Sequence, residues 1–108
     1  MNMLKNIEEV ISKELNLEKE VIRTYIKLLL EGNATKDELG VDKRILDKLI
    51  EYGSCIEING VYQALNPKFA ITNMYRTACI KENKSINRNP DIDRVATMLE
   101  GLVERRTK

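Results

Sequence analysis

The chain has 108 residues, of which 43% are hydrophobic and 32% are charged, and its formal net charge is +1. This size and composition predict one domain with a modest hydrophobic core. Apolar runs such as residues 28–30 are too short to span a membrane, and acidic residues interrupt the first fifteen positions, where a signal peptide would be apolar. We therefore expect a cytoplasmic protein with no membrane partner.

The first two predicted elements are helices. Residues 3–15 carry apolar side chains at helical spacing, with Glu8 on the opposite, solvent-facing side. The apolar stripe of this helix consists of Met3, Leu4, Ile7, Val10, Ile11 and Leu15. Residues 18–31 are apolar over more than half of the helix circumference. We expect this second helix to be buried on several sides and to form the centre of the core.

A short helix and a longer helix with one exposed face come next. Thr35 and Glu38 have the spacing of a capping box, which opens a helix of only one or two turns. Residues 41–52 then form an amphipathic helix. Asp42 is placed to cap its start, and Gly53 is placed to end it in a left-handed turn.

A β-hairpin is predicted for residues 54–65. β-forming residues flank a central Asn-Gly pair, which is the strongest short-range signal for a hairpin. After the hairpin, Asn66-Pro67 combines a helix cap with a proline at the first helical position. This pair predicts a fourth main helix that ends near Glu82.

The last predicted helix runs from residue 91 to about residue 106, after a polar loop. It carries an apolar seam with the spacing i, i+3, i+7 and i+10, formed by Ile92, Val95, Leu99 and Leu102. Such a seam must be buried either against the domain or against a second copy of the chain. We predict dimerisation through this seam. The chain then divides into a domain of residues 1–82 and a linker with a dimerisation helix, residues 83–108.

The sequence contains no catalytic constellation. It has no histidine, which is the usual general base and a common metal ligand, and no glycine-rich phosphate loop. Cys55 and Cys79 match no metal-binding spacing, so we expect two free, half-buried thiols, with an intramolecular disulfide or a redox switch as the alternative. We predict that the protein is not an enzyme and needs no cofactor or metal.

The order of the predicted elements is typical of a winged helix-turn-helix, in which a helix with an exposed face lies between a short helix and a hairpin. The predicted fold is mainly α with a small β-hairpin and a C-terminal helical extension. In such folds, Arg and Lys on the exposed helix read guanine edges and hold phosphates. The candidates here are Lys43, Arg44 and Lys48, while Asp47 and Glu51 share their face and make it nearly neutral. Further phosphate contacts are expected from Lys36, Lys68 and Arg76.

A second interpretation of the exposed helix needs no ligand. Charged residues of alternating sign on one helix face are typical of a solvated surface with local ion pairs, for example around Asp47, Lys48 and Glu51. The hairpin that follows the helix favours the DNA-binding interpretation.

The chain resembles the archaeal TrmB-type transcriptional regulators over about residues 15–78. The residues that carry the resemblance are LNLEKEVIRTYIKLLLEGNATKDELG, ILDKLIEYG and, after the hairpin, NPKFAITNMYR. The resemblance implies a dimeric, sequence-specific repressor or activator, and the last helix resembles the dimerising helix of the family. Residues 34–53 are shorter than the matching segment of the family by roughly two helical turns.

The same resemblance assigns roles to individual residues. It implies DNA contacts for Lys43, Arg44 and Lys48, and contacts from the hairpin, or wing, for Asn59 and Gly60. Larger members of the family carry a C-terminal sugar-binding domain that does not follow within these 108 residues. A sugar effector is therefore not implied, and the sequence assigns no other small-molecule effector.

We predict a transcriptional regulator that binds double-stranded DNA as a homodimer. The alternative is a winged helix used as a protein-interaction module within a multi-subunit assembly, which does not bind DNA itself. The near-zero net charge and the shortened helix before the exposed one favour the alternative. The apolar seam and the family pattern favour the regulator.

Overall fold

The chain folds into helices packed around a small antiparallel sheet. The structure is a computed structural model that describes residues 3–107, with side chains described for residues 5–104. Within these residues the elements are, in chain order, α1 (Met3–Leu15), α2 (Lys19–Glu31), β1 (Ala34–Thr35), α3 (Lys36–Leu39), α4 (Lys43–Glu51), β2 (Cys55–Ile58), β3 (Val61–Ala64), α5 (Pro67–Lys81) and α6 (Pro90–Thr107). The prediction of a mainly helical chain with a small hairpin is confirmed. No helix in this part of the chain has the length and apolar character needed to cross a membrane.

The sheet has three strands in the order β1-β3-β2, all antiparallel. In the predicted hairpin, Ile58 pairs with Val61 across a two-residue turn. Asn59 and Gly60 both have positive φ, 51° and 83°, which a tight hairpin turn of this length requires. Strand β1 was not predicted, because two residues cannot display an alternating pattern and only the pairing with β3 makes them a strand.

The predicted helix boundaries rest on side-chain caps that the structure contains. Thr35 and Glu38 form the reciprocal capping box at the start of α3. The side chain of Asp42 accepts a hydrogen bond from the Arg44 backbone N–H. Because Asp42 itself is extended (φ −68°, ψ 143°), α4 begins only at Lys43, two residues later than predicted.

Helix α2 is the central helix of the core, as predicted. Its buried side chains are Val21, Ile22, Thr24, Tyr25, Ile26, Leu28 and Leu29. It packs against α1, α4, α6 and β3. The Tyr25 ring is fully buried, and its hydroxyl donates a hydrogen bond to the Leu65 carbonyl oxygen at 2.8 Å. Burial raises the pKa of the Tyr25 hydroxyl, so this group stays protonated and keeps the connection after β3 attached to α2.

Helix α1 covers one side of α2, and one of its polar residues is not where the pattern predicted. Ile7, Ile11 and Leu15 are buried as expected, whereas Met3 and Leu4 lie outside the described side chains. Glu8 was expected to face solvent but is buried. Its carboxylate accepts hydrogen bonds from Arg23 of α2 at 2.6 and 3.1 Å. The Arg23 guanidinium lowers the pKa of Glu8, and this ion pair is what makes the buried position tolerable.

The apolar seam of α6, which was predicted to be a dimerisation surface, is mostly buried within its own chain. Ile92, Val95 and Leu99 are buried within the same chain, and Leu102 is half-buried against the same core. The helix packs on α5, α1 and α2. Of the two outcomes that the seam allowed, burial against the domain is the one observed. Ile92, Val95 and Leu99 are therefore covered by their own chain, and residues 90–104 share one hydrophobic core with the preceding domain.

Candidate nucleic-acid interface

Helix α4 presents the polar face on which the candidate DNA contacts lie. Ile45, Leu46 and Leu49 are fully buried and hold one side of α4 against α2. The opposite side is open to solvent, and Lys43 and Arg44 are exposed there. The amphipathic pattern of the sequence therefore predicted correctly which half of this helix is accessible.

The C-terminal end of α4 is fastened to α5 at Gly53. This residue has a φ of 71°, in the left-handed region that favours glycine, as predicted. Its carbonyl oxygen accepts a hydrogen bond from Asn73 Nδ2 at 2.9 Å, and a Cβ at Gly53 would lie 3.0 Å from the Asn73 Cβ. Lys81 adds an ion pair to Glu51 at 3.0 Å and lies 5.7 Å from the centre of the Tyr52 ring. The C-terminal end of α4 is thus fixed relative to α5.

The cations on the α4 face are paired with carboxylates. Lys43 Nζ lies 3.0 Å from an Asp47 oxygen, one helical turn away. Arg44 donates from both terminal nitrogens to Glu18, at 2.7 and 3.4 Å, and Lys48 Nζ lies 3.3 Å from the same carboxylate. Arg44, followed by Lys48, lowers the pKa of Glu18. Glu18 is therefore ionised at neutral pH and cancels one of the positive charges that would face DNA.

The local ion pairs expected around Asp47, Lys48 and Glu51 are not formed among these three residues. Asp47 pairs with Lys43, whereas Lys48 and Glu51 pair with Glu18 and Lys81 on other segments. The pair of Lys43 with Asp47 follows from i, i+4 spacing. Glu18 is separated from Arg44 by 26 residues, and no local spacing connects them. Only the packing of α4 on the start of α2 brings the carboxylate to the two cations.

The hairpin lies beside α4. Glu57 and Tyr62 are close enough to add to the raised pKa of Lys43, although hydrogen bonding to Asp47 is the main cause. The predicted wing contacts, Asn59 and Gly60, are exposed at the tip. However, the Gly60 N–H already donates to the Glu57 carboxylate at 2.8 Å. This contact leaves an acidic group at the tip, where a phosphate would have to approach.

The outer face of the sheet is aliphatic. Ile56, Ile58 and Val61 are all exposed, and Ile58 is 57% exposed. Cross-strand pairing places Ile58 opposite Val61 and Ile56 opposite Gln63. These three aliphatic side chains lie on the side of the hairpin opposite Glu57 and Tyr62, and Gln63 shares that side.

The remaining predicted phosphate contacts are separate from this cluster. Lys68 and Arg76 lie on α5, in an open groove to which α4 contributes no residue and which also contains Phe69. Lys68 pairs with Glu100 at 3.4 Å. Within the described side chains, Lys36 and Arg76 are exposed and have no ion pair. The eight predicted DNA contacts therefore lie in four places, at Lys36 in α3, on α4, at the hairpin tip and on α5.

The two cysteines are buried free thiols rather than half-buried ones. Burial raises the pKa of the Cys55 thiol to about 11, which keeps it protonated and unreactive at neutral pH. Among the described residues, no group of three or more Cys, Asp or Glu is placed to hold a metal ion.

Comparisons with known proteins add no relative to these observations. No family model matches the chain, and no curated protein and no solved structure matches it. The resemblance to TrmB-type regulators stays a prediction from the sequence pattern.

Proposed function

We propose that the chain binds double-stranded DNA as a winged helix-turn-helix regulator of transcription, of the TrmB type. The observation that carries the proposal is the exposed polar face of α4, which presents Lys43, Arg44 and Lys48 beside an exposed hairpin. The element order of α2, α3, α4 and the hairpin, with β1 completing the sheet, supports it. In this arrangement α4 is the recognition helix and enters the major groove.

Each group on this surface has a chemical role in the proposal. Arg44 supplies two parallel donors, which match the O6 and N7 acceptors of guanine. Lys43, Lys48 and Lys36 neutralise phosphates on either side of the groove. The Gly53 contact to α5 and the buried residues Ile45, Leu46 and Leu49 keep α4 in one orientation.

The regulator is proposed to act as a homodimer, so that two copies of α4 read two half-sites. The pairing surface cannot be the seam of α6, because Ile92, Val95 and Leu99 are buried within one chain. On α5, Phe69 and Ile80 are 70% and 68% exposed and are the largest apolar side chains that this helix leaves accessible. They are the candidates for the contact between copies.

A salt titration of binding to random duplex DNA tests the proposed function. We expect affinity to fall steeply with added salt, with a logarithmic slope of about −0.9 for each phosphate contact. Lys48→Ala should reduce the slope by about one. Lys13→Ala, which removes an exposed cation of α1, is the matched control and should leave the slope unchanged. Absence of binding at low salt would contradict the proposal.

The protein-interaction module remains a second candidate because of two specific observations. The cations of α4 are paired with carboxylates, and the outer face of the hairpin exposes Ile56, Ile58 and Val61. Exposed aliphatic surfaces of this kind are typical of contacts with other proteins. If the salt titration shows no DNA binding while the chain is folded, this second candidate is the one that the structure supports.

A further inference from the structure

Glu18 is placed where a DNA ligand would have to bind. It precedes α2, yet all of its side-chain hydrogen bonds go to α4. One oxygen, Oε1, accepts from Arg44 Nη1 at 2.7 Å and from Lys48 Nζ at 3.3 Å. The other oxygen accepts from Arg44 Nη2 at 3.4 Å. A single carboxylate thus engages two of the three cations on the candidate recognition face.

The contact uses a donor edge of Arg44, Nη1 and Nη2, through which a guanidinium can also bind DNA. A guanidinium binds a carboxylate, a phosphate or the O6 and N7 atoms of guanine through two parallel N–H donors. Both terminal nitrogens of Arg44 already donate to Glu18. A bidentate contact to DNA through this Nη1/Nη2 edge therefore requires Glu18 to withdraw.

The folded structure does not depend on this carboxylate. Glu18 occupies the N-cap position of α2, but its side chain makes no capping hydrogen bond. The side chains of Glu18 and Arg44 are 46% and 54% exposed, so their ion pair is screened by solvent and adds little stability. The packing of α4 on α2 comes instead from Ile45, Leu46 and Leu49.

We propose that Glu18 is an internal competitor for DNA, which occupies Arg44 and Lys48 in the free protein and is displaced when DNA binds. The inference rests on the proposed DNA binding and adds a control of affinity to it. The negative charge of Glu18 also repels phosphates that approach the same face. Its effect is to weaken non-specific binding, because a ligand must replace the contacts of both cations before it gains affinity.

The test compares Glu18→Gln with Glu20→Gln in the full chain. Glutamine keeps the size of the side chain but removes the charge that holds Arg44 and Lys48. Glu20 is an exposed carboxylate two residues away on α2, and its side chain makes no hydrogen bond to α4 within the described residues. The two variants have the same net charge, so any difference between them reports the direct contacts. Thermal melting checks that both variants stay folded.

The measurement is fluorescence anisotropy with random duplex DNA at several salt concentrations. We expect Glu18→Gln to bind about threefold to thirtyfold more tightly than the parent, since two exposed ion pairs no longer oppose binding. We expect Glu20→Gln to change affinity by less than about twofold, since Glu20 acts on Arg44 through space and without a hydrogen bond.

The other outcomes separate the inference from the proposed function. If the parent binds DNA and Glu18→Gln binds equally or more weakly, Glu18 is not a competitor, although DNA binding stands. An equal gain for both variants also overturns the inference, because it would reflect net charge rather than the contacts of Glu18. If neither the parent nor Glu18→Gln binds at low salt, the proposed function fails and the inference fails with it.

Discussion

Helices α4 and α6 are both amphipathic, and the sequence predicted a functional surface on each. For α6 that surface was the apolar seam, and for α4 it was the polar face. In the structure, the α6 residues Ile92, Val95 and Leu99 are buried in the core of their own chain. The polar face of α4 stays accessible, but Arg44 and Lys48 are engaged by Glu18.

The difference shows what a helical pattern can and cannot indicate. An apolar stripe must be buried, but the hydrophobic effect does not distinguish the chain's own core from a second copy. A charged stripe must remain near solvent, but its spacing identifies only partners within about one turn. Helical periodicity therefore predicts which face of a helix is accessible more reliably than it predicts what binds to that face.

The largest expected effect is a loss of stability when the apolar seam of α6 is disrupted. Leu99→Ala should lower the free energy of unfolding by about 2–5 kcal/mol, because Leu99 is fully buried and its removal leaves a cavity. Leu102→Ala is the matched control and should cost less, since Leu102 is only half-buried. Chemical denaturation at two protein concentrations is the measurement. Because dimerisation through α5 would also make the midpoint rise with protein concentration, a second copy buries the seam only if Leu102→Ala abolishes that rise.

A smaller effect is expected where α4 is fastened to α5. Gly53→Ala should destabilise the fold by about 2–3 kcal/mol, because alanine disfavours a positive φ and its Cβ would crowd Asn73. Gly40→Ala separates the two causes, because Gly40 also has a positive φ but a Cβ there would meet nothing within 4 Å. It should cost only about 1 kcal/mol. Equal losses in thermal or chemical unfolding would mean that the Asn73 contact contributes nothing.

Substitution of Arg44 tests whether the accessible face of α4, unlike the buried seam of α6, contacts a ligand. Arg44→Ala should weaken binding to a duplex selected from a random library by about tenfold to a hundredfold, and it should relax the preference at one base position. Binding assays on the selected duplex and on single-base variants measure both effects. The same loss on every sequence would show that Arg44 contacts only phosphate. An unchanged affinity would remove α4 from the DNA-binding proposal.

The smallest expected effect is on the free energy of unfolding and comes from the ion pair of Glu8 with Arg23. Unlike the exposed carboxylates on the α4 face, Glu8 is buried. The pKa of Glu8 is lowered by Arg23, so its contribution to stability is present above the ordinary carboxyl pKa and is lost as the pH falls through the folded value. Glu8→Gln should cost at most about 1 kcal/mol near pH 7, because the guanidinium of Arg23 is 63% exposed and screened. Below pH 4.5 the difference from the parent should shrink in denaturation experiments. A difference that is constant with pH would show that the ion pair does not contribute.

The sequence alone determined the local structure of this protein, because the signals for it lie within a few residues. The capping box of Thr35 and Glu38, the Asp42 cap and the Asn-Gly hairpin turn were all predicted and are all present. Each depends on hydrogen bonds or backbone angles between near neighbours. The central position of α2 also followed from sequence, since its apolar side chains cover most of its circumference.

Only the tertiary structure decided which segments meet. The strand β1 exists because β3 lies beside Ala34 and Thr35, and Glu8 is buried because Arg23 reaches it. Burial of the α6 seam and the engagement of Arg44 by Glu18 were decided in the same way. These contacts join residues far apart in the chain, and their strength depends on distance and solvent exposure in three dimensions. A single sequence contains neither quantity, so the partner of each surface emerges only when the helices pack.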